Sequence, residues 1–91
     1  MTIFIVEDES HAETFGEYIS FSDALSELKK RSIIPWDLEP NRAPCQNWKT
    51  CGRTYEIIEY DNSVDPWKEL KRVFVLEISA NGIEWANGFG T

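Results

Sequence analysis

The stretch Leu70-Lys-Arg-Val-Phe-Val-Leu-Glu-Ile-Ser-Ala-Asn-Gly-Ile-Glu-Trp85 decides the fold. In an extended chain Leu70, Phe74, Leu76 and Ile78 fall on one side and Val73 and Val75 on the other, so a long strand is expected with apolar groups on both faces. Asn81-Gly82 marks a tight hairpin, because both residue types accept the positive φ that such turns need. Ile83-Glu84-Trp85 then returns as a last strand. A helical turn around Trp67-Lys68-Glu69 is expected to open the long strand.

Working outward, Asp61-Asn-Ser-Val-Asp-Pro66 is a turn cluster, and Arg53-Thr-Tyr-Glu-Ile-Ile-Glu-Tyr60 before it reads as a strand with β-formers on both faces. Alternation separates Glu56 from Glu59, so they are not a catalytic pair. Residues 2–7 read as a strand buried on both faces, and His11 to Tyr18 as loop or a short edge strand. Between Phe21 and Arg31, Phe21, Ala24, Leu25 and Leu28 form one helical stripe. Ser20 or Ser22 can cap that helix, and Lys29-Lys30-Arg31 complement its dipole at the far end. Asn87 to Thr91 is expected to fray. The order is β-α-loop-β-β-β. It predicts an α+β fold, an antiparallel sheet of about four strands with one helix packed on it.

A chain of 91 residues has room for one domain with one core, and 42% hydrophobic and 13% aromatic residues are too many for disorder. Residues 1–6 lack the basic start and apolar length of a signal peptide, and no run is long enough to span a membrane. A cytoplasmic location with reduced cysteines is therefore expected. The net charge of −7 argues against nucleic acid held through its phosphates. Residues 1–28 hold seven acids and no Lys or Arg, and a solvated acidic face accounts for them most simply. A surface complementary to a basic partner is the sharper reading.

From Ile33 to Gly52 no periodicity survives, and Pro35, Pro40 and Pro44 exclude helix or central strand. Trp36, Leu38 and Trp48 are costly to leave in water, so this segment is expected to lie against the sheet as a long ordered Pro/Trp-rich cover. Closing one side of a small core would be role enough for it. If it also binds, the candidates are Trp36, Asp37, Asn41, Arg42, Cys45, Trp48, Cys51, Arg53 and Tyr55. Trp36 and Trp48 would wall a pocket between sheet and cover, and Arg42 and Arg53 would fork onto a small carboxylate or phosphate ligand. The runs Ile34-Pro-Trp-Asp, Pro40-Asn-Arg-Ala-Pro-Cys and Trp48-Lys-Thr-Cys-Gly-Arg-Thr-Tyr-Glu resemble runs in small bacterial proteins, among them some carried on mobile integron gene cassettes. That group has no assigned activity. The resemblance, which covers mainly residues 33–61, implies a bacterial accessory protein and transfers no catalytic residue.

Cys45 and Cys51 have five residues between them, a wider spacing than paired zinc cysteines commonly use. Lys49 and Arg53 would favour a Cys51 thiolate, a disulfide would close a short loop, and buried inert thiols remain the favoured reading. Glu7, Asp8, Glu9 and His11 are the only acids grouped with a histidine, and are expected to be solvated at a strand end. Of four tryptophans, two are expected in or near the core and two on the surface. No catalytic set, phosphate cradle, metal site or cofactor motif is evident. The expectation is a non-enzymatic interaction module that self-associates, most simply as a dimer, or binds a protein partner through residues 33–55. The alternative is a binding protein for a small anionic ligand.

Overall fold

The computed structural model describes residues 1–42, 52–86 and 88–89. Its elements are β1 (Thr2–Asp8), β2 (Glu13–Tyr18), α1 (Phe21–Arg31), β3 (Gly52–Asp61), β4 (Lys68–Ser79) and β5 (Gly82–Trp85). The five strands form one antiparallel sheet in the order β2-β1-β3-β4-β5. The fold is α+β, with five strands rather than about four. The fifth is β2, whose polar alternation looks like loop because it is an edge strand with one side in water.

Helix α1 begins where its sequence says it must. The Ser20 hydroxyl accepts the backbone N–H of Asp23 at 3.0 Å, and the basic triplet occupies the last turn. Ala24 and Leu28 are buried against Val6, Tyr55, Ile57, Val75, Leu76 and Ile78, which defines the helix-covered face of the sheet. Trp36 and Phe89 pack against the same cluster; of the tail expected to fray, Asn87, Gly90 and Thr91 lie outside the described residues. The Phe89 ring lies 6.0 Å from that of Phe21. Of the expected cover, residues 33–42 belong to the described structure; Pro44, Cys45, Trp48 and Cys51 lie outside the described residues.

Strand β4 departs from simple alternation twice. Tyr55 pairs with Leu76 but Glu56 pairs with Phe74, which leaves Val75 as an extra residue; Leu70 is extra in the same way between Lys71 and Glu69. The first bulge lets Val73, Val75, Leu76 and Ile78 all meet the core while Phe74 turns to the opposite face. Grouping Phe74 with Leu76 and Ile78, as strict alternation does, is therefore corrected. Trp67-Lys68-Glu69 form no helical turn, because Lys68 and Glu69 already pair with Asp61 and Tyr60 on β3.

Strand register also fixes what the far face carries. Ile3, Ile5 and Glu7 of β1 stand opposite Tyr60, Ile58 and Glu56 of β3, and the last two stand opposite Arg72 and Phe74 of β4. Among the described residues α1 is the only helix, and it lies on the other side. Among the described residues no helix covers this second face, which we call the open face; Ile3, Ile5 and Ile58 are nonetheless buried beneath its own longer side chains. No helix of the described residues is long and apolar enough to cross a membrane.

Candidate functional site

Two places merit a functional reading, and the first contains several of the residues singled out above. At one end of the helix-covered face, the end of β1, the start of β2, the start of β3 and the segment after α1 converge on Arg53. Its side chain is 4% exposed. Nε donates to the Asn41 carbonyl (3.1 Å), Nη2 to the Arg42 carbonyl (2.6 Å), and Nη1 to both Asp8 Oδ2 (3.0 Å) and Glu13 Oε1 (2.8 Å). Asp8 is fully buried, and a carboxylate there is costly unless donors replace its water. Besides Arg53, its oxygens meet the backbone N–H groups of Ser10 (3.1 Å) and Thr54 (2.9 Å) and the Nδ1 of His11 (2.5 Å). Against an ionised carboxylate that ring nitrogen is the donor.

A second layer adjoins it. The Tyr55 hydroxyl donates to Asn41 Oδ1 (2.9 Å) and accepts from Arg31 Nη1 (3.3 Å), while Asn41 Nδ2 donates to the carbonyls of Arg31 and Ile34, each at 2.8 Å. Burial pushes the Tyr55 phenol up, against the pull of the Arg31 hydrogen bond. Burial opposes the charge on Arg31, but the hydrogen bonds it donates to Glu27 and Tyr55 more than offset this and its pKa is raised. The Phe15 ring has the Arg31 guanidinium 4.5 Å from its centroid and that of Arg53 at 5.0 Å. Among the described residues, every buried side-chain nitrogen and oxygen has a partner.

The structure thus brings together the side chains of Asn41, Arg53 and Tyr55 with the backbone carbonyl of Arg42, and their polar groups bond one another, Arg31, β1 and β2. Trp36 packs nearby on the core and Asp37 is exposed; Cys45, Trp48 and Cys51 lie outside the described residues. Sequence reading missed Asp8, Glu13 and Arg31. Phe4, Val6 and Asp8 alternate along β1, and Ala24, Leu28 and Arg31 continue the helical stripe, so both periodicities pointed these charges inward. Asp8 is not a solvated acid at a strand end, as expected above. It is the most enclosed carboxylate of the cluster.

Ligand atoms of Asp8, His11 and Glu13 lie within 4.8 Å of one another, close enough to share a cation. Arg53 Nη1 already bonds both carboxylates, so the positive charge a metal would bring is built in. An aspartate on a histidine Nδ1 is also the orienting half of many hydrolytic sites. Here Ser10 Oγ, one residue from the imidazole, is hydrogen-bonded to Thr54 Oγ1 at 2.8 Å.

The second place is the open face. Register puts Glu7, Glu17, Glu56, Glu69, Glu77 and Glu84 on it, six of the sixteen acidic residues. Its strands carry a single basic residue on that side, Arg72, which bonds Glu56 (2.7 Å), Glu69 (2.9 Å) and Glu7 (3.2 Å). Those bonds raise the Arg72 pKa and lower that of Glu69. Large apolar groups stand among the charges: Phe74 is 40% and Trp67 44% exposed. Trp67 leans on Tyr60 with ring centroids 6.0 Å apart, and the two rings wall a hollow of about 460 Å³ with Ile5, Thr14, Gly16 and Glu17. Partial burial, then the charges of Glu7 and Glu69, push the Tyr60 phenol up. A smaller hollow of about 210 Å³ beside the helix is lined by Phe4, Phe21, Ile57, Glu59, Lys71 and Val73. Comparison with protein-family models, with curated proteins and with solved structures finds no match to this chain.

Proposed function

We propose that this chain is a non-enzymatic interaction module that docks a different protein on the open face of its sheet. The observation that carries the reading is the pairing of exposed Trp67 and Phe74 with six glutamates against one arginine on that face. Aromatic groups supply contact area and the glutamates select a basic partner by complementarity. A second copy would stack like charge on like, so self-association through this face is disfavoured despite the small size of the chain. The anionic-ligand reading is weaker, because an anion reaching Arg53 would have to displace the buried Asp8 carboxylate and the half-exposed one of Glu13. Residues 33–42 take a supporting part, with Asn41 closing the end of the core.

Isoleucine methyl groups test this, since they report on the two faces separately. Ile3, Ile5 and Ile58 belong to the open face and Ile57 and Ile78 to the helix-covered one. With a labelled sample at low ionic strength and a peptide of alternating arginine and leucine as the partner mimic, the first three resonances are expected to shift and the last two to stay. Sedimentation of the free protein is expected to give a monomer. Shifts confined to Ile57 and Ile78, or a dimer that buries Phe74, would overturn the reading.

A further inference from the structure

Resting on that reading, we propose that the hollow between Tyr60 and Trp67 is the subsite that receives an arginine side chain of the partner. Three features of the hollow match a guanidinium and no other common side chain as well. Its walls are two aromatic rings, one of them the exposed indole of Trp67, and aromatic faces attract a flat, weakly hydrated cation. Glu17 stands on its rim from the edge strand β2, opposite Ile5, and offers two oxygens to a planar fork. Ile5 at its apolar side suits the methylene stem that brings the charge there. Glu7 and Glu69 stand near Tyr60 as well, partly offset there by Arg72, and Glu17 is the carboxylate that lines the hollow itself.

The surroundings favour this cation over the protein's own. Arg72 is held away by Glu7, Glu56 and Glu69, and Lys68 pairs across the ladder with Asp61 on the helix-covered side. The volume of about 460 Å³ exceeds one side chain, so the partner's neighbouring residues would also sit over Thr14 and Gly16. Lysine fits the charge but not the stacking. A neutral side chain of the same shape fits the stacking but not the charge.

The test uses the arginine–leucine peptide, its citrulline and lysine counterparts, and two variants of the full chain. Wild type is expected to bind the arginine peptide at least about tenfold more tightly than the citrulline peptide and more tightly than the lysine peptide. Trp67→Ala is expected to lose about tenfold for the arginine peptide and little for the lysine one. Glu17→Gln, an exposed position that leaves the core untouched, is expected to lose several-fold, which keeps the test open should Trp67→Ala fail to fold. Contacts from the arginine δ-methylene to the Trp67 or Tyr60 ring in NMR spectra would support the proposal directly. Wild-type affinity in both variants, with Ile3, Ile5 and Ile58 still shifting, would overturn the subsite and leave face docking intact. No peptide response at any isoleucine of the open face would bring down both.

Discussion

At the scale of single residues, Arg53 shows how one side chain can close a fold. It answers two carboxylates and two carbonyls from three separate stretches of chain, and no other side chain has the five donors in a fork to do so. Arg53→Ala is expected to cost about 3–5 kcal/mol, because it strands the buried Asp8 charge. Against a total of roughly 5–15 kcal/mol this is a large share, and the urea midpoint is expected to fall in proportion. Arg53→Lys is expected to recover only part of this, since an ammonium carries its donors at a single point. Arg72→Ala, by contrast, is expected to change stability by less than about 1 kcal/mol, its three glutamates being partly in water. Arg53 itself was legible as a residue of interest, but its partners Asp8 and Glu13 were not, because a pairing across 45 and 40 positions leaves no local trace.

For the elements, local chemistry was a good guide where it acts within a few residues. Ser20 capping α1 and the close of β4 into β5 both follow from neighbours in sequence. Gly82 takes φ 114° at that turn, a conformation other residues resist. Ser20→Ala is expected to cost about 1 kcal/mol, read from the thermal midpoint. Bulges escaped the sequence because nothing in Val73-Phe-Val-Leu announces the extra residue at Val75; it is set by the partner strand. Gly52 has a similar hidden reason. A Cβ there would sit 2.5 Å from the Ile78 carbonyl oxygen and 2.7 Å from Ser79 Cβ, and the ladder backbone cannot yield. Gly52→Ala is expected to destabilise by about 1–3 kcal/mol, against the usual gain from replacing glycine in a strand.

Across the whole molecule, the sequence disclosed the acidic balance but not its address. Glu7, Glu56 and Glu77 are far apart in the chain, and only the strand order β2-β1-β3-β4-β5 puts them on one surface. All three tyrosines, Tyr18, Tyr55 and Tyr60, have pKa values raised above 10.0, with burial the leading cause in each. Folding thus prefers the neutral phenol. The stability this confers is fully present below about pH 10 and lost as pH rises through the folded values. In an ultraviolet titration, the tyrosinate band of the native protein is expected to emerge at higher pH than that of the same protein in urea.

The pairing of β1 with β3 has a kinetic side. Strands β1 and β2 are near neighbours in sequence, as are β3, β4 and β5, so each group can assemble from short-range encounters. Thr2 meets Asp61 and Asp8 meets Tyr55, however, only after a long excursion of the chain has closed. That closure is expected to be the slow event in folding, with the sheet parting along the same line. Amide protons bridging β1 and β3 are thus expected to be the first of the central sheet to exchange with a deuterated solvent, ahead of those bridging β3 and β4.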